Sequence, residues 1–589
     1  MDARRASALV AGLDRRPSWR RLAAGSGLSL LMLAAGCMTS PKEYIQNGLK
    51  VGPNYRKPAA PIAEHWIDYA DARVISQPQN NWAWWQTFND PILSELIQTA
   101  SQQNLTLRQA GFRVMEARAL DAYARGNLFP QSQTGFGGYS RNLLSEQVGF
   151  VGGGGGGAGV PREFSVWTLG TQFQWELDFW GRFRRSIEAA DAQLDATIED
   201  YDDVLVILIA DVASAYVDVR TLEQRLRYAR QNVQNQSGSL RLAEDKKEAG
   251  VSSQLDVAQA VTNVAQTEST IPQFEADLRV AENRLCTLMG MPPQDIRALL
   301  AGNGGIRPIP TAAPEVVLGI PADLIRRRPD VRRQERLVAQ QSALIGVAES
   351  DLYPAFSITG QIFVRASQFD NLFLSNATGG NVGPSFQWNI FNYGRIRNLV
   401  AAEEARFMQQ VSLYQQTVLD ANREAEDAII RFLQSQEQVR ILETGAAAAA
   451  ESRDLVNELY QGGQADFGRV FVAELFLVQQ QDALAVAQGT VARSLVEINR
   501  ALGGGWQIRL QGPATLVELP PVEEVQAGPE VAEEAAGPEA PEAAETAPAE
   551  GDDEEGNIPG LAPDPAFEPT PEITLPEEFD GQKDLPEVK

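Results

Sequence analysis

The stretch Thr171-Gln-Phe-Gln-Trp-Glu-Leu-Asp-Phe-Trp-Gly-Arg-Phe-Arg184 joins a strand pattern directly to a helix pattern, and the chain contains the design twice. Phe173, Trp175, Leu177 and Phe179 alternate with Gln172, Gln174, Glu176 and Asp178. A period of two belongs to a strand with one apolar and one wet face. After Gly181-Arg182 a long helical pattern begins. About 213 residues later Gly383-Pro-Ser-Phe-Gln-Trp-Asn-Ile-Phe-Asn-Tyr-Gly-Arg-Ile-Arg397 repeats it, with Phe386, Trp388 and Ile390 alternating with Ser385, Gln387 and Asn389. A matched junction in each half indicates internal duplication, so the chain reads as one two-fold unit with appendages.

The repeats set the boundaries. The first occupies 91–290. A helix runs from Pro91, with Asn89 or Asp90 as cap, to about Arg125, and Pro130 ends the helical pattern. Strands are expected at about 131–140 and 168–180, separated by a loop with glycines from Gly152 to Gly157. A helix over 183–249 follows, free of proline, which at 1.5 Å per residue is about 100 Å long. It turns at Gly250-Val-Ser-Ser253 and returns over 254–289, with a kink expected at Pro272. The second repeat, 329–503, replays this order. A helix ends at Leu352-Tyr-Pro354, the counterpart of Leu128-Phe-Pro130. Strands are expected at about 355–365 and 382–392, then a long helix over 395–460, a turn at Gln461-Gly-Gly-Gln-Ala465, and a return helix over 466–502. A Pro/Gly-rich connector, 291–328, joins the repeats. The first and return helices together match the long one in length, so they pack end to end against it.

The formal charge of −26 belongs mostly to one end of the chain. From Glu518 onward the balance is about −20, and this Ala/Glu/Pro tail within 504–589 has the composition of disorder. No basic stripe points to nucleic acid. One histidine and two cysteines leave neither a metal-ligand cluster nor a disulfide framework. No Gly-x-Ser-x-Gly or phosphate-loop motif is present, so the chain is not read as an enzyme and no cofactor is expected. Adjacent carboxylates such as Asp202-Asp203 read as solvated helix surface.

Residues 1–36 read as an export signal: arginines, then Leu28-Ser-Leu-Leu-Met-Leu-Ala-Ala, then Gly36-Cys37. Small residues ending at a cysteine resemble a bacterial lipoprotein signal, in which Cys37 becomes the lipidated first residue. Ala34 departs from the leucine usual there, and the bland alternative is an ordinary cleaved signal with a spare thiol. A lipidated, extended arm rich in proline and tryptophan would then occupy 37–90.

Each repeat supplies two amphipathic strands of about ten residues, the length that crosses an outer membrane. A sheet edge cannot stay unpaired in lipid, and four strands cannot close a barrel. The chain must borrow strands from copies of itself. Aromatic residues mark the strand ends nearest the helices: Phe129, Tyr353, Phe179, Trp180, Phe391 and Tyr393 form a candidate girdle. Gly181 and Gly394 are candidate hinges between strand and helix, with Pro130 and Pro354 ending the incoming helices. Arg182, Arg184, Arg395 and Arg397 stand where lipid head groups would lie, or are plain surface charge at a helix start.

Val51-Gly-Pro-Asn-Tyr55, Trp175-Glu-Leu-Asp-Phe-Trp-Gly-Arg182, Pro321-Ala-Asp-Leu-Ile-Arg-Arg-Arg-Pro-Asp-Val331 and the Leu-Tyr-Pro step together resemble the outer membrane factor (TolC-like) family, in particular its NodT-type lipoproteins, over residues 30 to about 510. The resemblance implies a trimer with a twelve-stranded transmembrane β-barrel, continued by a periplasmic barrel of twelve helices with an equatorial belt. It implies an exit duct in the outer membrane, working with a periplasmic adaptor and an inner-membrane transporter of the resistance-nodulation-division type, for drugs or small metabolites. Protein secretion of type I is the alternative substrate class, and a lipid-anchored periplasmic coiled-coil scaffold the alternative outside transport. The acidic tail departs from the family pattern. The helix turns would form the closable mouth: Asp466, Tyr460, Arg469 and Asp256 are gate candidates, and Gly250, Val251, Ser252, Gly462 and Gly463 are adaptor-docking candidates. Each has a plainer reading as a cap or a turn; Asp466 sits where an N-cap belongs.

Overall fold

The computed structural model describes residues 39–75, 82–143, 163–301, 308–311, 315–319, 321–323 and 327–511. The export signal, Cys37, the glycine-rich loop and the acidic tail lie outside them. Eleven helices and six strands are used below: α1 Pro41–Gln46, β1 Val74–Ile75, α2 Pro91–Gln103, α3 Leu105–Gly126, β2 Ser132–Leu143, β3 Glu163–Leu177, α4 Arg182–Glu248, α5 Gln254–Glu268, α6 Thr270–Leu288, α7 Arg297–Ala301, β4 Val316–Val317, α8 Pro329–Ser350, β5 Ala355–Ala366, β6 Thr378–Gln387, α9 Arg395–Gln461, α10 Phe467–Ala501 and α11 Ile508–Gln511.

The duplication holds to the residue in the long helices. Both α4 and α9 have 67 residues, and a shift of 213 positions carries Arg182 to Arg395 and Glu248 to Gln461. The same shift carries Gln254, the start of α5, to Phe467, the start of α10. The structure corrects the single helices expected over 91–125 and 254–289. The first breaks at Asn104, whose side chain accepts from Leu107 N at 2.9 Å and donates to Leu288 O at 2.8 Å. One amide thus starts α3 and satisfies an orphan carbonyl at the end of α6. The second breaks at Ser269, where α5 ends and α6 begins. Pro272 then falls in the opening turn of α6, where its missing N–H costs no helical bond. The arm is not wholly extended, since it contains α1 and a 3₁₀ turn at Trp84–Phe88, and β1 pairs in parallel with β4.

β2, β3, β5 and β6 form one antiparallel sheet in that order. β6 ends at Gln387, not near 392, because its partner β5 begins at Ala355, which faces Gln387, and Pro354 ends the ladder. β3 ends at Leu177 because Asp178 turns to cap α4, accepting from Phe183 N at 2.9 Å and Arg184 N at 3.1 Å.

The helices pack around a core where α2, α4, α6, α9 and α10 meet, with Trp84, Trp85, Leu93, Val212, Tyr216, Leu285 and Phe432 buried. Beside it lies a belt of ion pairs that the sequence pattern does not announce. Asp202 is fully buried rather than solvated. Arg509, 307 residues away, grips it with two bonds of 2.7 Å. The arginine run before Pro329 is part of the same belt. Arg328 bonds Asp330 at 2.6 and 3.0 Å, Glu424 at 2.8 Å and the carbonyl of Ala501 at 2.8 Å, tying the start of α8 to α9 and the end of α10.

Asp203 lies near the belt, with Arg333 and Arg328 nearby and, among the described residues, no ion pair of its own. Burial, then the charge of Asp330, pushes its carboxyl from 3.8 up to about 6. A carboxyl whose folded value is raised favours the fold only while protonated, so its cost sets in as pH climbs from about 4 to about 6 and is complete above. Asp203→Asn is expected to stabilise the protein at pH 7 on the order of 1–2 kcal/mol, with the gain gone below pH 4. Parallel melting curves at pH 4 and pH 7 test this; an equal gain at both would assign it to something other than ionisation.

Candidate functional site at the two ends of the helices

The strand register assigns each side chain to a face. Leu169, Phe173, Trp175, Leu177, Ile358, Ile362, Val382 and Phe386 share one face, and Gln172, Gln174, Glu176, Ser357, Thr359, Gln361, Asn381 and Ser385 share the other. β2 and β6 are each paired on one side only. The sheet is therefore mostly apolar on one surface and mostly polar on the other, with Phe136 and Phe363 among the exceptions on the polar side, and it is open at both edges.

At the helix end of the sheet, both repeats use one device. The indole of Trp175 donates to Leu128 O at 3.1 Å, and that of Trp388 donates to Leu352 O at 3.0 Å. Each tryptophan of the Phe-Gln-Trp triplet thus fastens its strand to the Leu-x-Pro step that opens the neighbouring strand. Both tryptophans stand at matched places relative to Pro130 and Pro354, a sequence signal that carries this pairing. Gly181 and Gly394 precede the long helices with φ of 83° and 81°, a left-handed conformation that disfavours any side chain. Of the aromatic candidates, Trp180 stacks on Tyr353 with ring centroids 4.5 Å apart and donates to Pro354 O at 2.8 Å, and Phe179 packs on Trp180. In the second repeat Tyr393 is the counterpart of Trp180 and Asn392 that of Phe179; Phe391 and Tyr393 are 87% and 99% exposed in the single chain. Arg182 and Arg184 have partners within the chain. Arg184 bonds Asp178 at 2.7 Å and the carbonyls of Gly48 and Leu49, and Arg182 lies 3.6 Å from both Glu176 and Asp351.

At the far end, α4 turns to α5 through Gly250, Val251 and Ser252, and α9 turns to α10 through Gly462 and Gly463. Asp256 completes a capping box with Ser253 and accepts from Ser252 Oγ at 2.6 Å, bonds that hold its carboxyl below the usual range. Asp466 caps α10 by accepting from Arg469 N at 3.1 Å, and the Arg469 side chain is exposed. Tyr460 is not at the surface: it is 3% exposed. It packs on Phe467, and Lys246 lies 4.1 Å over its ring and bonds its carbonyl. It joins the two hairpin tips of one chain, a role shared with Val257 and Val470.

About two turns up from this tip is a buried polar cluster that the sequence does not single out. Glu474 on α10 is 3% exposed and accepts from Ser239 at 2.6 Å and Asn263 at 2.7 Å; Gln236, one turn before Ser239 on α4, is also buried. Burial raises its carboxyl above the ordinary value. On the other hairpin, a groove of about 490 Å³ runs between Ala449, Ser452 and Val456 of α9 and Asp466, Arg469, Val472 and Phe476 near the start of α10. Among the described residues, no three His, Cys, Asp or Glu side chains come together as a metal site.

The comparisons with known proteins agree with this architecture. The family model described as outer membrane efflux protein matches residues 96–291 and 320–504. The chain is 29% identical over 477 residues to Nodulation protein T of Rhizobium leguminosarum bv. trifolii, covering 78% of this chain and 95% of that protein. It is 28% identical over 487 residues to the pyoverdine export outer membrane protein OpmQ of Pseudomonas putida, covering 82% and 96%. The solved outer-membrane channel OprN is similar with a TM-score of 0.69 at 32% identity, over 78% of this chain and 99% of that one. The chain belongs to the outer membrane efflux protein family, and it is the non-enzymatic outer membrane channel of a tripartite efflux system.

Proposed function

We propose that three copies of this chain close a twelve-stranded barrel in the outer membrane, continued below by a helical barrel in the periplasm. The observation that carries this is the four-stranded sheet with two open edges, one mostly apolar face and one mostly polar face. Unpaired edges are not tolerated in hydrocarbon. Two copies would give an eight-stranded barrel filled by its own side chains, whereas three leave a bore lined by the polar face. Phe179, Trp180, Phe391 and Tyr393 then lie at the membrane boundary as an aromatic girdle.

The position of Thr39 supports a lipid on Cys37. Its N–H donates to Glu349 at 2.8 Å, one turn from the Leu-Tyr-Pro step at the foot of the sheet. Cys37 comes two residues earlier in the sequence, and acyl chains on it would tether the chain to the membrane.

The duct receives small molecules from a periplasmic adaptor and an inner-membrane pump of the resistance-nodulation-division type. Relatives named for pyoverdine export, cation efflux and toluene efflux support a small-molecule cargo over a protein one. The adaptor docks on the exposed turns at Gly250, Val251, Ser252, Gly462 and Gly463, and Asp256, Asp466 and Arg469 line the mouth beside them. Tyr460 contributes by locking the two tips of one chain together.

The test is the mass of the detergent-extracted protein followed by conductance in planar bilayers. A three-chain mass is expected; a monomer or dimer would rule out the twelve-stranded duct. Asp466→Asn keeps a side chain able to cap and removes only the charge. It is expected to change single-channel conductance while leaving the melting temperature unaltered. An unaltered conductance would reduce Asp466 to a helix cap.

A further inference from the structure

The shift of 213 positions that superposes α4 on α9 also carries contacts from one repeat to the other, and one contact then lacks its second half. Within the chain, Glu474 enters a cleft between Ser239 of α4 and Asn263 of α5, with Gln236 buried one turn before Ser239. The shift turns Gln236, Ser239 and Asn263 into Ala449, Ser452 and Phe476, and the residue that becomes Glu474 is Val261. Ala449, Ser452 and Phe476 all line the groove of about 490 Å³ on the second hairpin. Val261 is 49% exposed on α5. The chain's own α5 cannot fill this groove, because its buried side, at Asn263, is already turned to Glu474.

Key and cleft have changed character together. A carboxylate meets hydroxyl and amide groups inside the chain. An isopropyl group would meet a methyl, a hydroxyl and a phenyl ring in the groove. The same change recurs nearer the membrane. Asp195 of α4 faces Arg336 of α8 at 3.8 Å. The shift carries Asp195 to Met408, and the offset between the two 22-residue helices α8 and α3 carries Arg336 to Phe112. Met408 and Phe112 are 61% and 47% exposed. At this place an ion pair within the chain has two apolar side chains as its outward counterpart.

We propose that the groove between α9 and α10 is a socket for Val261 of a second copy of this chain, making it the subunit contact nearest the periplasmic mouth. The proposal rests on the trimer reading above and adds to it which surfaces meet. Within one chain the polar contact of Glu474 adds to the apolar contact of the two tips, while the contact between neighbouring chains rests on burial of apolar groups.

The experiment is Val261→Cys combined with Phe476→Cys in the full-length protein, extracted from outer membranes in mild detergent. Both positions are at least 49% exposed in the chain, so neither change disturbs its core. Mild oxidation is expected to give species of two and three linked chains on a non-reducing gel, absent from each single variant. A complex of three-chain mass that stays unlinked would overturn the socket and leave the trimer standing. A complex of one-chain mass would overturn both. Maleimide labelling of Val261→Cys alone gives a second readout: the thiol is expected to be protected in the assembled complex and reactive after denaturation. Ready labelling in a three-chain complex would leave the groove to a different occupant, such as a partner protein, and overturn the proposal.

Discussion

Arg328→Ala is expected to lower the stability of the helical part by about 3–5 kcal/mol, the cost of breaking a buried charge cluster from one side. The guanidinium links Asp330 at the start of α8, Glu424 on α9 and the carbonyl of Ala501 at the end of α10. Its removal leaves the Ala501 carbonyl and the Asp330 carboxylate without that partner in a largely buried place. Arg328→Lys is expected to recover little, because one ammonium cannot make a two-pronged bond to Asp330 and still reach the other two groups. Thermal melting in detergent is the measurement; a melting temperature within a degree of the parent would show that the belt does not depend on this residue.

The second large effect is expected at Gly52. A β-carbon there would lie 2.4 Å from the Cα of Gly346 on α8, so two glycines let the arm touch the helix backbone to backbone. Arg185, 2% exposed, closes the contact by donating to Val51 O at 3.0 Å and Gly52 O at 2.8 Å. Gly52→Val forces the arm away and leaves a buried guanidinium with two bonds lost, together about 3 kcal/mol or more. The arm is then expected to be cut by trypsin after Lys50 or Arg56 while the rest of the protein stays folded. Resistance equal to that of the parent would mean that the backbone shifts to admit the side chain. The glycine of Val51-Gly-Pro-Asn-Tyr55 is thus a packing requirement, which the motif alone does not reveal.

What the sequence discloses, and what it hides, follows the distance over which each signal acts. The strands and long helices are legible because alternation and helical spacing are local, and because the two halves repeat one another. The helix break at Asn104 is hidden. Gln103-Asn104-Leu105 contains neither proline nor glycine, and the amide's second partner, Leu288, lies 184 residues away. Asp202 looks like surface for the same reason: its partner Arg509 lies at the other end of the folded region. The tip candidates Asp256 and Asp466 are legible as caps, since capping is a three-residue matter, whereas Glu474 draws attention only when Ser239 and Asn263 are seen beside it.

The equality of the two long helices has a consequence for how such a molecule can change size. Each runs 67 residues from the foot of the sheet to its turn, so both hairpins of a chain arrive at one level. Adding four residues to one helix would push its tip out by about 6 Å and rotate its buried stripe by roughly 40°, turning core residues to water. Seven residues change the phase by only about 20° and lengthen the helix by about 10 Å. A longer or shorter relative is therefore reached by whole-heptad steps, made in both repeats and matched in their returning partners. The duplication acts as a ruler that the two halves must keep in agreement.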